Sequence, residues 1–260
     1  MVDASSDEIL LRTRGLTKSF RGLIALRDHQ IDLRKSEIVG VIGPNGSGKS
    51  TLFNCITGFS KPTAGEVFFR HDRISGLRPS AVVAKGLART FQGSRLFVSL
   101  TVRENVRAAA HLRHQTNIFE AVLLTRRYFG TQEAATRQAE ELLSLVGLSH
   151  QADRLACELP YGDQRRLEIA RALATAPDIL LLDEPAAGLD SAETKQLADL
   201  IRRIRDSRGV TVVVVEHDMD LIMNLCERIQ VLAAGEVICV GTPQEVRAHP
   251  RVREAYLGHE

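Results

Sequence analysis

The sequence predicts an α/β fold built on a largely parallel sheet, and three observations carry that expectation. Short aliphatic runs, Ile38–Ile42, Ile179–Leu182 and Val212–Val215, have the length and branching of buried strands and alternate with segments of helical spacing. A glycine-rich turn, Gly43–Gly48, separates the first of these runs from a helix. A central stretch of helical periodicity, Thr101 to about Gly147, interrupts the alternation.

Taken in order, Ile9-Leu10-Leu11 opens a strand, Gln30–Leu33 alternates, and Glu37–Ile42 is a buried run ending at a glycine. A helix follows from Lys49, with apolar residues on one face, until Gly58 and Pro62 stop it. Gly65–Arg70 is another strand. In the central stretch Ala139, Leu142, Leu143 and Val146 recur at three- and four-residue intervals, with Gly147 as the cap. Helices are then predicted over Leu167–Ala174, Ala192–Arg205 and Met219–Cys226, and strands over Ile179–Leu182, Val210–Val215 and Ile229–Leu232. There is no internal repeat and no low-complexity linker.

The 260 residues suit one large domain or a core with an inserted subdomain, and 44% hydrophobic and 25% charged residues are ordinary for a globular chain. No run approaches the roughly 20 apolar residues of a membrane-spanning helix, and Met1–Ile9 has no signal-peptide pattern. A soluble, unsecreted protein is expected. A net charge of +2 and the absence of tryptophan argue against a nucleic-acid partner. Cys55, Cys157, Cys226 and Cys239 are far apart and read as reduced thiols acting as small hydrophobes. His111 and His114 share helical spacing without a third ligand, which reads as a solvated face and not a zinc site.

Gly43-Pro44-Asn45-Gly46-Ser47-Gly48-Lys49-Ser50 matches G-x-x-x-x-G-K-[ST] between a buried strand and a helix. Its backbone N–H groups can wrap an anion at a helix N-terminus. Lys49 adds a charge on the β- and γ-phosphates, and the Ser50 hydroxyl is a Mg²⁺ ligand. The chain is therefore expected to bind a nucleoside triphosphate. Ile179–Glu184 delivers two carboxylates at the end of a strand, where ligands of open α/β sheets lie. Asp183 suits Mg²⁺. Glu184, pointing the other way along the strand period, suits the polarising of an attacking water.

Leu159-Pro160-Tyr161-Gly162-Asp163-Gln164-Arg165-Arg166, just ahead of Asp183-Glu184, resembles the signature motif of ATP-binding-cassette ATPases. The resemblance covers essentially the whole chain and implies ATP and Mg²⁺ as cofactors. It implies a single nucleotide-binding domain over 1–260, comprising a P-loop core, an N-terminal antiparallel β subdomain and a helical subdomain inserted at roughly 93–165. It further implies that Phe20 stacks on adenine, that Thr51 belongs to the phosphate loop, and that Gln92 of Arg89-Thr90-Phe91-Gln92 reaches Mg²⁺ and water and senses the membrane domain. Asp190 falls in the D-loop and His217 is the switch histidine on the γ-phosphate. Read alone, Phe20 also fits a core aromatic, and Gln92 and His217 fit satisfied polar residues at strand ends.

The signature, Pro160 to Gln164, acts in this resemblance on the phosphates bound by a second ATPase subunit. Pro160 stands where serine is usual and Asp163 where glutamine is. Proline offers neither hydroxyl nor N–H, so a charge-assisted hydrogen bond worth about 1.5–3 kcal/mol is absent. The Gly162 backbone and the dipole of the following helix remain.

Phe53–Phe59, Arg89–Gln92, Tyr161–Glu168, Glu184–Leu189 and the ending Ala255-Tyr256-Leu257-Gly258 resemble branched-chain amino-acid importer ATPases. That implies a peripheral subunit on the cytoplasmic face of the inner membrane, with a second homologous or identical ATPase, two permease subunits and a solute-binding protein. An ATPase of lipopolysaccharide export and a soluble cassette without a membrane partner are the alternatives. For the apolar segment Asn117–Gly130 two readings stand: packing inside the helical subdomain, or a groove in which Ile118, Phe119, Tyr128 and Phe129 receive a permease helix, with Arg126 and Arg127 as rim.

Overall fold

A computed structural model describes residues 8–91, 93, 96–110 and 126–257, with only the backbone at 126–129 and 257. Gln92, His111, His114, Ile118 and Phe119 lie outside the described residues, as do the side chains of Arg126, Arg127, Tyr128 and Phe129.

The antiparallel sheet runs in the order β2 (Leu23–Arg34), β1 (Ile9–Phe20), β4 (Ala64–Phe69) and β5 (Asp72–Arg73). The second sheet runs β10 (Glu236–Gly241), β9 (Arg228–Ala233), β3 (Ile38–Ile42), β8 (Thr211–Val215), β7 (Ile179–Asp183) and β6 (Leu87–Arg89). Only its edge strand β10 is antiparallel. Every residue of β3, β7 and β8 is buried, which is why these strands read as unbroken aliphatic runs. The side-chain period of two divides them between two cores. Val39, Val41, Leu181 and Val215 join the antiparallel sheet and α1 (Lys49–Ile56) in one core. Ile38, Ile42, Leu182 and Val214 join the helices of the opposite face in the other.

After α2 (Pro79–Lys85), those helices are α3 (Val102–Ala110), α4 (Arg126–Val146) and α5 (Tyr161–Ala174), which pack on one another, then α6 (Ser191–Arg208) and α7 (Met219–Leu225). Gly147 ends α4 as expected: it has φ +79°, and Leu148 N–H reaches back to the Leu143 carbonyl at 2.8 Å while Gly147 N–H meets Ser144 O at 3.2 Å. The last helices, α8 (Pro243–Ala248) and α9 (Pro250–Leu257), pack by β9 and β10, and Thr242 opens α8 with a capping box to Glu245.

The two sheets are pinned by a buried polar link. His29 on β2 is fully buried, with Nε2 2.7 Å from Gln230 Oε1 on β9 and Nδ1 3.1 Å from Thr13 Oγ1. Burial without a charged partner pushes the His29 pKa down to about 4.

Two sequence expectations need revision. Helix α5 begins at Tyr161 and not at Leu167, so Tyr161–Gln164 form its first turn. Pro160, extended at φ −53° and ψ 153°, starts it, and Gln164 N–H closes the turn on Pro160 O at 3.0 Å. The polar run Gly162–Arg166 has no apolar period to reveal a helix. Second, Cys157 is exposed and not a packed hydrophobe, whereas Cys55 and Cys226 are buried. Burial raises their thiol pKa values to about 11 and about 12.

Candidate nucleotide site

The site lies at the C-terminal ends of β3, β7 and β8, where the parallel strands stop in step: Asp183 pairs with Val215, and Val41 with Val215 from the other side. Between β3 and α1 the loop Gly43–Gly48 depends on two glycines. Gly43 has φ +153°, and a Cβ there would lie 2.1 Å from the Leu232 carbonyl oxygen. Gly48 has φ +106°, and its Cβ would lie 2.6 Å from Ala25 O on β2. No side chain fits at either, so the loop can rest against β9 and β2 only as glycine.

Lys49, the first residue of α1, is 7% exposed and donates from Nζ to Gly43 O at 2.7 Å and Pro44 O at 3.0 Å. Burial lowers its pKa, while Glu184 and Asp183 pull the other way. An ammonium is thus held inside the loop with two carboxylates in range. The buried Ser47 hydroxyl has no hydrogen-bond partner among the described residues, a polar atom consistent with a phosphate seat. Asn45 and Gly46 are exposed at the loop's crest, and Ser50 and Thr51 enter α1 behind Lys49. Tyr256 of α9 touches the same loop: its phenol pKa is raised by burial, opposed by a hydrogen bond from the Gly43 backbone.

Phe20 ends β1 and is 48% exposed, which removes the core-aromatic reading; Lys18 Nζ sits 4.7 Å above its ring. A hydrophobic ring held open at the hairpin tip is free to stack on a planar ligand.

Asp183 ends β7 and is 6% exposed. Its Oδ2 is held 2.7 Å from Arg89 Nη2, both side chains being nearly buried. Arg89 also donates to Asn54 Oδ1 at 2.7 Å and lies 5.4 Å and 5.1 Å from the Phe53 and Phe91 rings. Sequence reasoning missed this pairing, although Arg89 stands in a quoted motif. With one oxygen on Arg89, Asp183 keeps its other for a hard cation, and the hydroxyl of Ser50 adds a second oxygen donor, a set that suits Mg²⁺.

Glu184 is not on the strand period, as the sequence suggested. The strand ends at Asp183, and Glu184 turns into the left-handed region at φ +47°, its N–H bonded to Val215 O at 2.8 Å. A non-glycine residue there costs about 1–3 kcal/mol, a conformation Glu184 shares with turn residues such as Arg70 and Ala234. Next to it, Glu216 follows β8 and is wholly buried, accepting from Ala186 N–H at 2.7 Å and His217 N–H at 3.1 Å. His217 is open to solvent, with Nδ1 3.6 Å from Glu216.

The signature residues divide. Pro160 and Tyr161 are exposed, whereas Asp163 Oδ2 accepts from Gln151 Nε2 at 2.7 Å and Gln164 Nε2 donates to Leu159 O at 3.0 Å, both within the chain. The Tyr161 ring fills the space beside Gly188, whose Cβ would meet it at 3.0 Å, and stacks 4.9 Å from the Arg165 guanidinium. Arg165 Nη1 pairs with Glu168 at 2.9 Å and reaches Phe91 O at 3.4 Å. Asp190 caps α6, accepting from Glu193 N–H at 2.8 Å in a capping box.

A phosphate loop, an acidic strand end and a separate signature helix on this topology define a P-loop ATPase of cassette type. Residues 26–187 match the ABC transporter family, and residues 236–260 match the branched-chain amino acid ATP-binding cassette transporter C-terminal family. This chain belongs to the ABC transporter ATP-binding family, and it is an ATPase. The high-affinity branched-chain amino acid transport ATP-binding protein LivG of Salmonella typhimurium is 46% identical over 249 residues, covering 96% of this chain and 98% of its own. The lipopolysaccharide export ATP-binding protein LptB of Acidithiobacillus ferridurans is 35% identical over 251 residues, with 96% and 98% coverage. Among solved structures, the ADP conformation of the ABC cassette MJ1267 superposes with a TM-score of 0.84 at 31% identity, over 96% of this chain and 99% of that one.

Proposed function

We propose that this chain is the ATP-hydrolysing subunit of an importer for branched-chain or related amino acids, working through separate permease subunits. The observation that carries the reading is the match of residues 236–260, the segment that forms β10, α8 and α9, to the branched-chain amino acid ATP-binding cassette transporter family. In line with it, the bacterial branched-chain relatives are 42–46% identical and the lipopolysaccharide one 35%, although an archaeal branched-chain relative is 33% identical.

In this reading Phe20 holds the adenine, and the loop from Gly43 to Ser50, with Thr51, holds the phosphates. Lys49 leaves the Gly43 and Pro44 carbonyls for them. Ser50, Asp183 and Gln92 would hold Mg²⁺, which supplies neutralisation of phosphate charge when bound. Glu184, presented by its strained turn, orients the attacking water, and His217 addresses the γ-phosphate. Each chain holds half a site. The other half is the N-terminus of α5 from a second ATPase subunit, where Pro160 and Tyr161 are exposed, Gly162 is buried against Glu193, and Pro160 offers no hydroxyl. The chain is one nucleotide-binding domain, with roughly 93–165 as its helical insertion.

The permease contact falls beside Phe91. Phe59, Phe97 and Val98 are 50%, 49% and 59% exposed, and Phe59 meets Phe91 edge-to-face at 5.4 Å. Such aromatic surface suits a docking helix. No helix of the described residues is long and apolar enough to cross a membrane. In this reading the chain is a peripheral subunit on the cytoplasmic face, with two permeases and, through them, a solute-binding protein. Purification of the intact complex and uptake of labelled leucine by proteoliposomes test this. ATP-dependent leucine uptake is expected. Co-purification with lipid-export partners, or no membrane partner, would overturn it.

A further inference from the structure

Parallel strands β7 and β8 end side by side, and each is followed by a glutamate. Glu184 leaves β7 in the left-handed region within electrostatic range of Lys49, and Glu216 is buried. The Glu216 side chain is closed off from water, where an ionised carboxylate is costly unless fully hydrogen-bonded. It is so bonded: Oε1 takes Ala186 N–H at 2.7 Å, Oε2 takes His217 N–H at 3.1 Å, and the Asp218 N–H also donates to it. Burial raises its pKa and these three donors oppose the rise.

The two ends of this bridge belong to different machinery. Ala186 lies two residues beyond Glu184, across Pro185, which has no N–H of its own. The Ala187 N–H closes that turn on Glu184 O at 3.2 Å. On the other side, His217 and Asp218 lead into α7, which Asp218 caps through Leu221 N–H at 3.0 Å. The Glu184 N–H is bonded to Val215 O at 2.8 Å, and beyond that ladder bond the Glu216 carboxylate joins the Ala186 N–H of one segment to the His217 N–H of the other.

We propose that Glu216 is a positioning residue for ATP hydrolysis, whose carboxylate holds the turn that carries Glu184 and the loop that carries His217 at one fixed spacing. Both groups must address the same γ-phosphate, and an error of about 1 Å in such an arrangement costs roughly a hundredfold in rate. A carboxylate can accept at both oxygens. An amide accepts only at its oxygen and presents N–H₂ in place of the other, so one of the two segments faces a donor where it had an acceptor. The proposal rests on the assignment of Glu184 and His217 to hydrolysis.

The test compares Glu216→Gln, Glu216→Ala, Glu184→Gln and His217→Ala in steady-state ATPase activity, equilibrium ATP binding and thermal unfolding. For Glu216→Gln, kcat should fall by about ten- to a hundredfold, with ATP affinity within about twofold of the parent. Glu216→Ala is expected to lose turnover to a similar or greater extent, and its melting curve shows whether it folds. A kcat within twofold of the parent in folded Glu216→Gln, alongside inactive Glu184→Gln and His217→Ala, would overturn the proposal alone. So would a kcat loss matched by an equal loss of folded protein. Full turnover in Glu184→Gln or His217→Ala would overturn the underlying assignment, and this proposal with it.

Discussion

Replacing Arg89 by methionine removes a nearly buried cation from between Asp183, Asn54 and the faces of Phe53 and Phe91. The methionine fills much of the volume, so the main loss is electrostatic: Asp183 is left buried without its partner. Breaking one side of a buried ion pair costs about 3–5 kcal/mol. For a domain of this size each kcal/mol lowers Tm by about 2–4 °C, so the melting temperature should fall by about 6–20 °C. Divalent cation and nucleotide should recover part of that fall, because a metal at Asp183 takes over the neutralisation that Arg89 provides. The assay is thermal unfolding of parent and Arg89→Met protein in EDTA, in Mg²⁺ alone and in Mg²⁺ with ATP. The parent should gain less from Mg·ATP than the variant does. An unchanged Tm would show that the ion pair contributes nothing; an equal gain in both proteins would show that the metal and Arg89 do not share Asp183.

Other outcomes follow from the same structure. Glu184→Gln should keep ATP binding, lose most turnover and accumulate as an ATP-bound dimer by size-exclusion chromatography; undiminished hydrolysis would remove Glu184 from its role. Gly43→Ala must push a Cβ against the Leu232 carbonyl, and backbone strain of about 1–3 kcal/mol translates into roughly a five- to 150-fold loss of ATP affinity by calorimetry. His29 stays neutral in the folded protein down to about pH 4 but protonates near 6.5 when unfolded. The unfolded state therefore binds the extra proton between those values, and stability present above pH 6.5 is lost as the pH falls toward 4. The loss is about 3 kcal/mol. Urea denaturation across this range should show a shallower loss in His29→Asn than in the parent. At pH 8 a maleimide should label Cys157 quickly and leave Cys55 and Cys226, with thiols raised to about 11 and about 12, unmodified until the protein unfolds.

The α/β class, the phosphate loop and the acidic strand end are legible in the amino-acid order alone, because each is a local pattern. Ile38–Ile42 and Ile179–Leu182 must be buried strands whatever their neighbours are, and glycines at 43 and 48 leave a loop only backbone can line. Gly147 announced the end of α4 for the same reason. Tertiary structure decided what depended on partners distant in sequence. Arg89 meets Asp183 across 94 residues, and Glu216 meets Ala186 across 30, through strand ends that only sheet order brings together. Whether Phe20 was core or open surface depended on where its hairpin tip lies, and Asp163 and Gln164 proved to be tied to Gln151 and Leu159 of their own chain. Glu184 left the strand period because the strand ends at Asp183 and Glu184 turns into the left-handed region, although its N–H still bonds Val215 O. A carboxylate's chemistry is legible from its residue type, but whether it faces a cation, a backbone N–H or water is set by burial and register, which arise when the strands assemble.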